Sequence, residues 1–389
     1  MESIYLDNSA TTRPCREAME TYLRVAEETF GNPSSLHSLG LRAEHILDEA
    51  RKTLSGTIGD RRGGQVVFTA GGTEANNLAI FGRAHAKERY RRRRILTTAG
   101  EHASVGMPLA ALAEEGFDIV EIPTRGGRLD IEALDAAADS SVILASMMLV
   151  NNETGAIYDL AAVSRLLRAR CPDAILHCDA TQAYLKMPIS VSSLGISMLT
   201  VSSHKIEGPK GVGALWIDRS LITAKGISPC ILGGGQETGL RSGTENVPGI
   251  AAFARAAELG ARELPERSRR LTSLRSYFEK NLLSHPALSE LRVNRAERQA
   301  PHIISLTLPS VKSETMLHAL SARGIYVSSG SACSSHGRHS TPALAAFGLT
   351  EHDADCTVRV SLSHRTTEAE LDALLSALSE LVPTLARAR

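Results

Sequence analysis

Four segments of this 389-residue chain carry side chains that could do chemistry, and each stands where an apolar run gives way to small, turn-forming residues. Asp179 closes the run Ala174-Ile175-Leu176-His177-Cys178, where an unpaired carboxylate would be expensive to bury and so calls for a cation. Lys205 follows Thr200-Val201-Ser202-Ser203-His204 and leads into Gly208-Pro209. A lysine desolvated at a strand end has its pKa lowered, which suits Schiff-base chemistry. Lys210 sits nearer the exit of that turn and is the more solvated of the two. Gly71-Gly72-Thr73 follows Val66–Thr69 and opens a helical pattern that we expect Thr73 to cap. Glycines let the backbone approach an anion, and a helix start offers free N–H groups. No Gly-Lys-Ser/Thr follows, which excludes a Walker loop. The fourth segment, Gly233 to Asn246, packs five glycines into eleven residues and adds Arg241 and Thr244, both suited to phosphate.

Each feature alone has an ordinary explanation: a capped turn, a buried ion pair, a flexible loop. Together they have few. Pyridoxal phosphate needs a carboxylate for its ring nitrogen, a lysine for its aldehyde and N–H donors for its phosphate, and the four segments supply all three.

A fifth segment carries a different chemistry. Ser328-Ser329-Gly330-Ser331-Ala332-Cys333-Ser334-Ser335-His336-Gly337-Arg338-His339-Ser340 is small and polar throughout, so nothing in it buries Cys333 as a core hydrophobe. A thiol on such a loop can attack one partner and carry the product elsewhere, and His336, Arg338 and His339 favour its thiolate.

The elements that must position these residues read as an α/β chain. Strand patterns fall at Gln65–Thr69, Arg94–Thr97, Ile119–Ile122, Val142–Met147, Ala174–Cys178 and Met198–Val201. Helical patterns alternate with them at Thr73–Glu88, Ser104–Glu115, Ile131–Ala138 and Leu160–Ala169. Alternation of that kind predicts βα units around a mainly parallel sheet, with ligands beyond the carboxyl ends of the strands. After Pro248 the texture changes. A long helical pattern, Ile250–Leu282, precedes strands at Ile303–Leu308, Val327–Ser329 and Thr357–Leu362 and helices at Ser313–Arg323 and Glu368–Leu381. We expect a large domain over residues 13–260 and a smaller α+β domain built from 1–12 and 261–389, carrying the Cys333 loop and Arg359.

Composition bounds the function. Forty-three basic and 43 acidic residues cancel, which argues against nucleic-acid or anionic-membrane partners. No apolar stretch approaches the roughly 18 residues needed to span a bilayer. The amino terminus lacks a basic-then-apolar leader, so a cytoplasmic location is expected. Of six cysteines, none is spaced Cys-x-x-Cys, and five read as small hydrophobes. Lys87, Arg89 and Arg91–Arg94 form a basic run, most simply a solvated helix end.

The order of motifs resembles the NifS/IscS-type cysteine desulfurases, in the class V aminotransferase branch of fold-type I pyridoxal-phosphate enzymes. The likeness runs from Tyr5-Leu6-Asp7-Asn8-Ser9-Ala10-Thr11-Thr12 and Gly31-Asn32-Pro33-Ser34-Ser35-Leu36-His37 through Gly71–Asn77, Glu101-His102, Val150–Gly155 and Ser203-His204-Lys205. Arg241-Ser242-Gly243-Thr244, Ser331–Ser335 and Arg359-Val360-Ser361-Leu362 complete it. The resemblance implies that Lys205 tethers pyridoxal 5'-phosphate, Asp179 meets the pyridine nitrogen and Gln182 lies near the ring hydroxyl. It implies that His102 stacks on the ring and shuttles protons, while Gly72, Thr73, Ser202 and His204 hold the phosphate. Thr244 resembles the residue that reaches the phosphate of a partner subunit, which implies a homodimer. Asn152 and Arg359 resemble the substrate anchors, and a fork-shaped guanidinium suits an α-carboxylate. The implied activity converts L-cysteine to L-alanine and leaves its sulfur on Cys333 as a persulfide for an acceptor protein, in iron–sulfur assembly or tRNA thiolation. No metal is required, although the Cys333 thiolate could ligate an iron–sulfur centre during transfer.

Three departures stand out. Arg338-His339-Ser340-Thr341-Pro342 replaces the family's Leu-Glu-Pro-Ser, Ser363-His364-Arg365 stands where a glycine usually follows Ser-Leu, and the tail stops at Arg389. They bear on the choice of acceptor. A selenocysteine lyase or an aminotransferase on the same fold is the nearest rival, and an aminotransferase has no use for a loop thiol. A non-catalytic partner-binding scaffold is the rival of another class, and intact Lys205, His102, Asp179 and Cys333 weigh against it.

Overall fold

The computed structural model describes residues 3–86, 93–329 and 342–387. In chain order its strands are β1 (Ile4–Tyr5), β2 (Gln65–Thr69), β3 (Arg94–Thr98), β4 (Asp118–Ile122), the short hairpin β5 (Thr124–Arg125) and β6 (Arg128–Leu129), β7 (Val142–Met148), β8 (Ile175–Asp179), β9 (Met198–Ser202), β10 (Gly213–Ile217), β11 (Arg292–Val293), β12 (Ile303–Thr307), β13 (Ile325–Tyr326), β14 (Ser328–Ser329) and β15 (Thr357–Ser361). Seven form the central sheet in the order β2-β10-β9-β8-β7-β3-β4. Strands β9, β8, β7, β3 and β4 pair in parallel, whereas β10 is antiparallel to both of its neighbours. A sheet with both faces covered must be apolar on both, and all seven residues of β7 are buried. The alternation of strand side chains sorts them into two layers. Val66, Phe68, Ala214 and Trp216 join one core with helices Ser38–Thr57 and Val247–Ser284. Val67, Leu215 and Ile217 face the other, against Gly72–Ala84 and Ala103–Glu114.

Strand β10 has no counterpart among the sequence-based expectations. Its five residues, Gly-Ala-Leu-Trp-Ile, are an unbroken apolar run directly after the Gly-rich turn, and a run that short is ambiguous by periodicity alone. Helices Arg16–Glu28 and Ser38–Thr57 were likewise not expected, although both contribute to the first core.

A second core gathers Leu6, Leu274, Phe278, Leu282, Ile304, Leu306, Val358, Val360, Leu371 and Leu378. It lies against a four-stranded antiparallel sheet, β11-β12-β15-β14. The 38-residue helix Val247–Ser284 feeds both cores, Ile250 to Leu259 into the first and Leu271 to Leu282 into the second. We propose that the two domains divide inside this helix near residue 260. The first dozen residues then belong with the smaller domain, because β1 pairs in parallel with β13 and Asp7 bridges to Ser361.

Because β2, β3, β7, β8 and β9 all run the same way, their carboxyl ends open at one edge. Asp179 and Ser202 are the last residues of β8 and β9, while the turns after β2, β3 and β7 carry Gly72, His102 and Asn152.

Candidate active site

A cavity of about 480 Å³ opens at that edge. Lys205, His102, Asp179, Gln182, Ser202, His204, Gly72, Thr73, Asn152 and Arg359 all line it. Lys205 follows β9 on a single 3-10 turn, and its Nζ donates to the carbonyls of Ser9 at 2.5 Å and Ala10 at 2.7 Å. Asp179 is buried. Its Oδ2 accepts from Asn76 Nδ2 at 2.8 Å and its Oδ1 from the Thr181 amide at 2.9 Å.

Asn76 also donates to Ser104 Oγ at 2.8 Å, and Ser104 Oγ lies 2.8 Å from His102 Nδ1. The Ser104 amide donates to the same ring nitrogen at 3.1 Å, with His102 capping the helix Ala103–Glu114. An amide can only donate, so Nδ1 is the acceptor and the neutral ring carries its proton on Nε2. Desolvation of the ring lowers its pKa below the ordinary histidine value, although the residue as a whole stays exposed; Asp179 opposes that shift.

The helix Gly72–Ala84 starts two residues earlier than Thr73 capping would allow. Gly71 is the cap residue and makes no side-chain bond, so Thr73 lies in the first turn and does not cap it. The first-turn amides therefore keep no side-chain partner from the cap, as an anion site needs. A Cβ on Gly72 would come within 3.2 Å of Thr181 Oγ1 and 3.5 Å of Ser202 Cβ, so the bare backbone keeps this corner open. Ser202 Oγ, buried in that corner, has no hydrogen-bond partner among the described residues. His204 stands beside it with its Nδ1 3.2 Å from Thr11 Oγ1, its pKa pushed down to about 4 by burial first and Lys205 second.

Arg359, on β15, reaches in from the smaller sheet. Its Nη1 donates to the Asn152 carbonyl at 2.9 Å and its Nη2 to Asp7 Oδ1 at 2.9 Å, while its buried Nε has no partner among the described residues. Gln182 Nε2 donates to the Ser9 carbonyl at 2.9 Å.

Three wall residues had escaped the sequence reading of roles. Asn76 is a polar residue on the largely apolar buried face of its helix, between Ala75 and Ala79, with Arg83 the other polar side chain buried there, and that break in the pattern was the available signal. Asp7 and Ser9 were visible as motif letters, but nothing in spacing tells that the amino terminus folds back onto residue 359. Thr244 is exposed and does not line the cavity of its own chain. Arg241 is held by Glu74 Oε1 at 2.8 Å. Cys15, Cys171, Cys178 and Cys356 are buried as expected of small hydrophobes, whereas Cys230 is exposed, its Sγ 3.8 Å from the Asn77 carbonyl. Cys333 and its loop lie outside the described residues, as do 87–92 of the basic run. The described end of that run is tied down, Arg94 to Asp118 at 2.7 Å and to Asp139 at 2.6 Å.

A buried carboxylate, a lysine at a strand end, and an anion corner with an orphaned hydroxyl fit pyridoxal phosphate by donor chemistry. Fold and site together define a fold-type I pyridoxal-phosphate enzyme. Comparison with known proteins narrows this further. The chain matches the class-V aminotransferase family over residues 4–374 and belongs to it. It is 37% identical over 383 residues to cysteine desulfurase IscS 1 of Archaeoglobus fulgidus, covering 98% of this chain and 97% of that one. It is 39% identical over 387 residues to a cysteine desulfurase of Cereibacter sphaeroides, covering 99% and 97%. Among solved structures, a NifS-like protein superposes with a TM-score of 0.90 at 32% identity over 98% of this chain and all of that one. SspA in complex with cysteine gives 0.80 at 28% identity, covering 94% of this chain and 100% of that one.

Proposed function

We infer that this protein is a pyridoxal-phosphate-dependent cysteine desulfurase, which converts L-cysteine to L-alanine and passes the sulfur to Cys333 as a persulfide. The observation that carries the reading is the meeting of Asp179, Lys205 and the Gly72 corner with Arg359 in one cavity. The bound cofactor supplies an electron-withdrawing ring that stabilises negative charge beside the substrate's α-carbon and so loosens its Cβ–S bond.

The chain's own residues do the rest. Asp179, whose carboxylate accepts from the Asn76 and Thr181 N–H groups, would face the ring nitrogen. Gly72, Thr73, Ser202 and His204 cradle the phosphate, with Gln182 at the ring hydroxyl. Arg359 takes the substrate carboxylate through its free Nε edge, and Asn152 fixes the guanidinium from behind through its carbonyl. Lys205 Nζ is the base for the substrate's α-proton, and His102 holds a second proton on Nε2 at the wall. The Cys333 thiolate then attacks the substrate sulfur. A sulfur–sulfur bond forms, the Cβ–S bond breaks, and its electron pair stays with the carbon that is later protonated as alanine.

Reach supports the thiol's role. Ser328 lines the cavity and is the register partner of Arg359. Five residues of extended chain carry Cys333 no further than about 18 Å from there, within range of the substrate sulfur and of a surface acceptor. The acceptor is a sulfur-carrying or scaffold protein serving iron–sulfur assembly or tRNA thiolation. The working unit is a homodimer in which exposed Thr244 serves the partner's phosphate corner. Among the described residues no helix is long and apolar enough to cross a membrane, and we place the protein in the cytoplasm.

The test is stoichiometry. The holoenzyme incubated with L-cysteine and a reductant releases alanine and sulfide in equal amounts, and turns over selenocysteine no faster. A preparation without absorbance near roughly 390–420 nm, the region of pyridoxal Schiff bases, or one releasing no alanine, overturns the assignment.

A further inference from the structure

Glu207 stands two residues beyond Lys205 with a backbone φ of +67°, in the left-handed region that costs a side chain with a Cβ roughly 1–2 kcal/mol and a glycine nothing. Its side chain is only 5% exposed. A strained, buried carboxylate persists only where something holds it. Three groups from the other side of the domain junction do so. Arg365 Nη2 lies 3.3 Å from Oε2, His364 Nδ1 3.4 Å from Oε1 and Arg267 Nη1 3.7 Å from Oε2. Burial pushes the His364 pKa down to about 4, so at neutral pH that ring contributes a neutral contact and the two arginines the charge. Lys186 adds a further cation to the surroundings of Glu207.

The backbone of the same residue is sewn to the amino-terminal strap. The Glu207 amide donates to Thr12 Oγ1 at 2.8 Å, and its carbonyl accepts from the Cys15 amide at 2.7 Å. The strap in turn carries Asp7 to Arg359 and the Ser9 carbonyl to Lys205. Glu207 thus joins the Lys205 turn to the segment that follows Arg359 on β15. His364 and Arg365 directly follow Ser363, the residue that stands where the family usually has a glycine.

We propose that Glu207 is a positioning residue, which sets the Arg359 strand against the Lys205 turn by gripping Arg267, His364 and Arg365 across the domain junction, and thereby fixes affinity for the substrate's carboxylate. The proposal rests on Arg359 being the carboxylate anchor. It is tested by rapid-mixing absorbance titrations of the holoenzyme with L-cysteine and with 2-aminoethanethiol, the same molecule without the carboxylate. Glu207→Gln keeps the shape and removes the charge. It weakens L-cysteine about tenfold and 2-aminoethanethiol less than about twofold. Arg365→Ala, a milder change at a half-exposed partner, shifts L-cysteine alone by about threefold. Arg359→Ala is the control and abolishes the preference for the carboxylate. If that control loses the preference while Glu207→Gln leaves both affinities unchanged, or weakens both equally, the positioning role is overturned and the Arg359 assignment stands. If Arg359→Ala keeps the preference, the anchor assignment falls and the proposal with it.

Discussion

Glu101 shows how the wall of a site tunes a single group. Its carboxyl accepts from the Met148 amide at 3.0 and 2.9 Å and from Thr98 Oγ1 at 2.7 Å, stapling the turn before His102 to the end of β7. Desolvation pushes its pKa up to about 8, against the hydrogen bonds that favour the anion, and Asp179 adds to the rise. A carboxyl whose pKa is raised in the folded state stabilises the fold fully below its unfolded value. That contribution is lost as pH climbs from about 4.5 through about 8. Glu101→Gln keeps a neutral group of the same shape, so its unfolding free energy does not share this loss. Urea titrations across the window will show the native protein falling behind the variant by about 1–3 kcal/mol; parallel curves count against the raised pKa. At this scale the sequence was informative where a residue broke its local pattern. Lys205 in a Gly/Pro-rich turn and Asp179 ending an apolar run were legible, whereas Asp7 was not, because its partner Arg359 stands 352 residues away.

The turn after β2 shows the same dependence among elements. Strand β10 lies between β2 and β9 and brings Gly213 against Gly71, where a Cβ would sit 2.6 Å from the Gly71 carbonyl carbon. Backbone on both sides leaves no flexible side chain to yield. Gly213→Ala will push the Gly71-Gly72 turn away from Ser202 and the corner proposed to hold the phosphate, costing about 1–3 kcal/mol of stability. Cofactor dissociation, followed by absorbance, accelerates with it. Unaltered cofactor retention would mean that the corner tolerates the shift. Strands and helices flanked by clear punctuation were readable to within a residue or two, as with Gln65–Thr69 and Ile131–Ala137. The Thr73 cap was misplaced because a Gly-Gly pair can open a helix as readily as it can precede one.

Across the whole molecule, the amino terminus is the piece that ties the Lys205 turn to the Arg359 strand. Leu6 is fully buried in the second core, and the residues on either side of it pair with β13 and bridge to Ser361. Leu6→Ala removes a side chain from close packing and costs about 2–5 kcal/mol, measured by denaturant unfolding. Because the same strap presents Asp7 to Arg359, the KM for cysteine rises in step. A loss of stability with an unmoved KM would separate the strap from the site. The α/β class and the change of texture after Pro248 could be read from periodicity. The burial of Leu6 in the second core agrees with the isolation of Ile4-Tyr5-Leu6-Asp7 from the strand patterns of the main sheet, and the long shared helix runs unbroken between the two cores.

In the proposed function sulfur leaves cysteine on the thiol of Cys333, and the mass of the peptide bearing that thiol reads the transfer. Holoenzyme given one equivalent of L-cysteine without reductant, then digested under acid, should yield a Cys333 peptide heavier by a single sulfur atom, matched by one alanine released. Alanine appearing while that peptide keeps its native mass, or the added sulfur residing on exposed Cys230, contradicts the account.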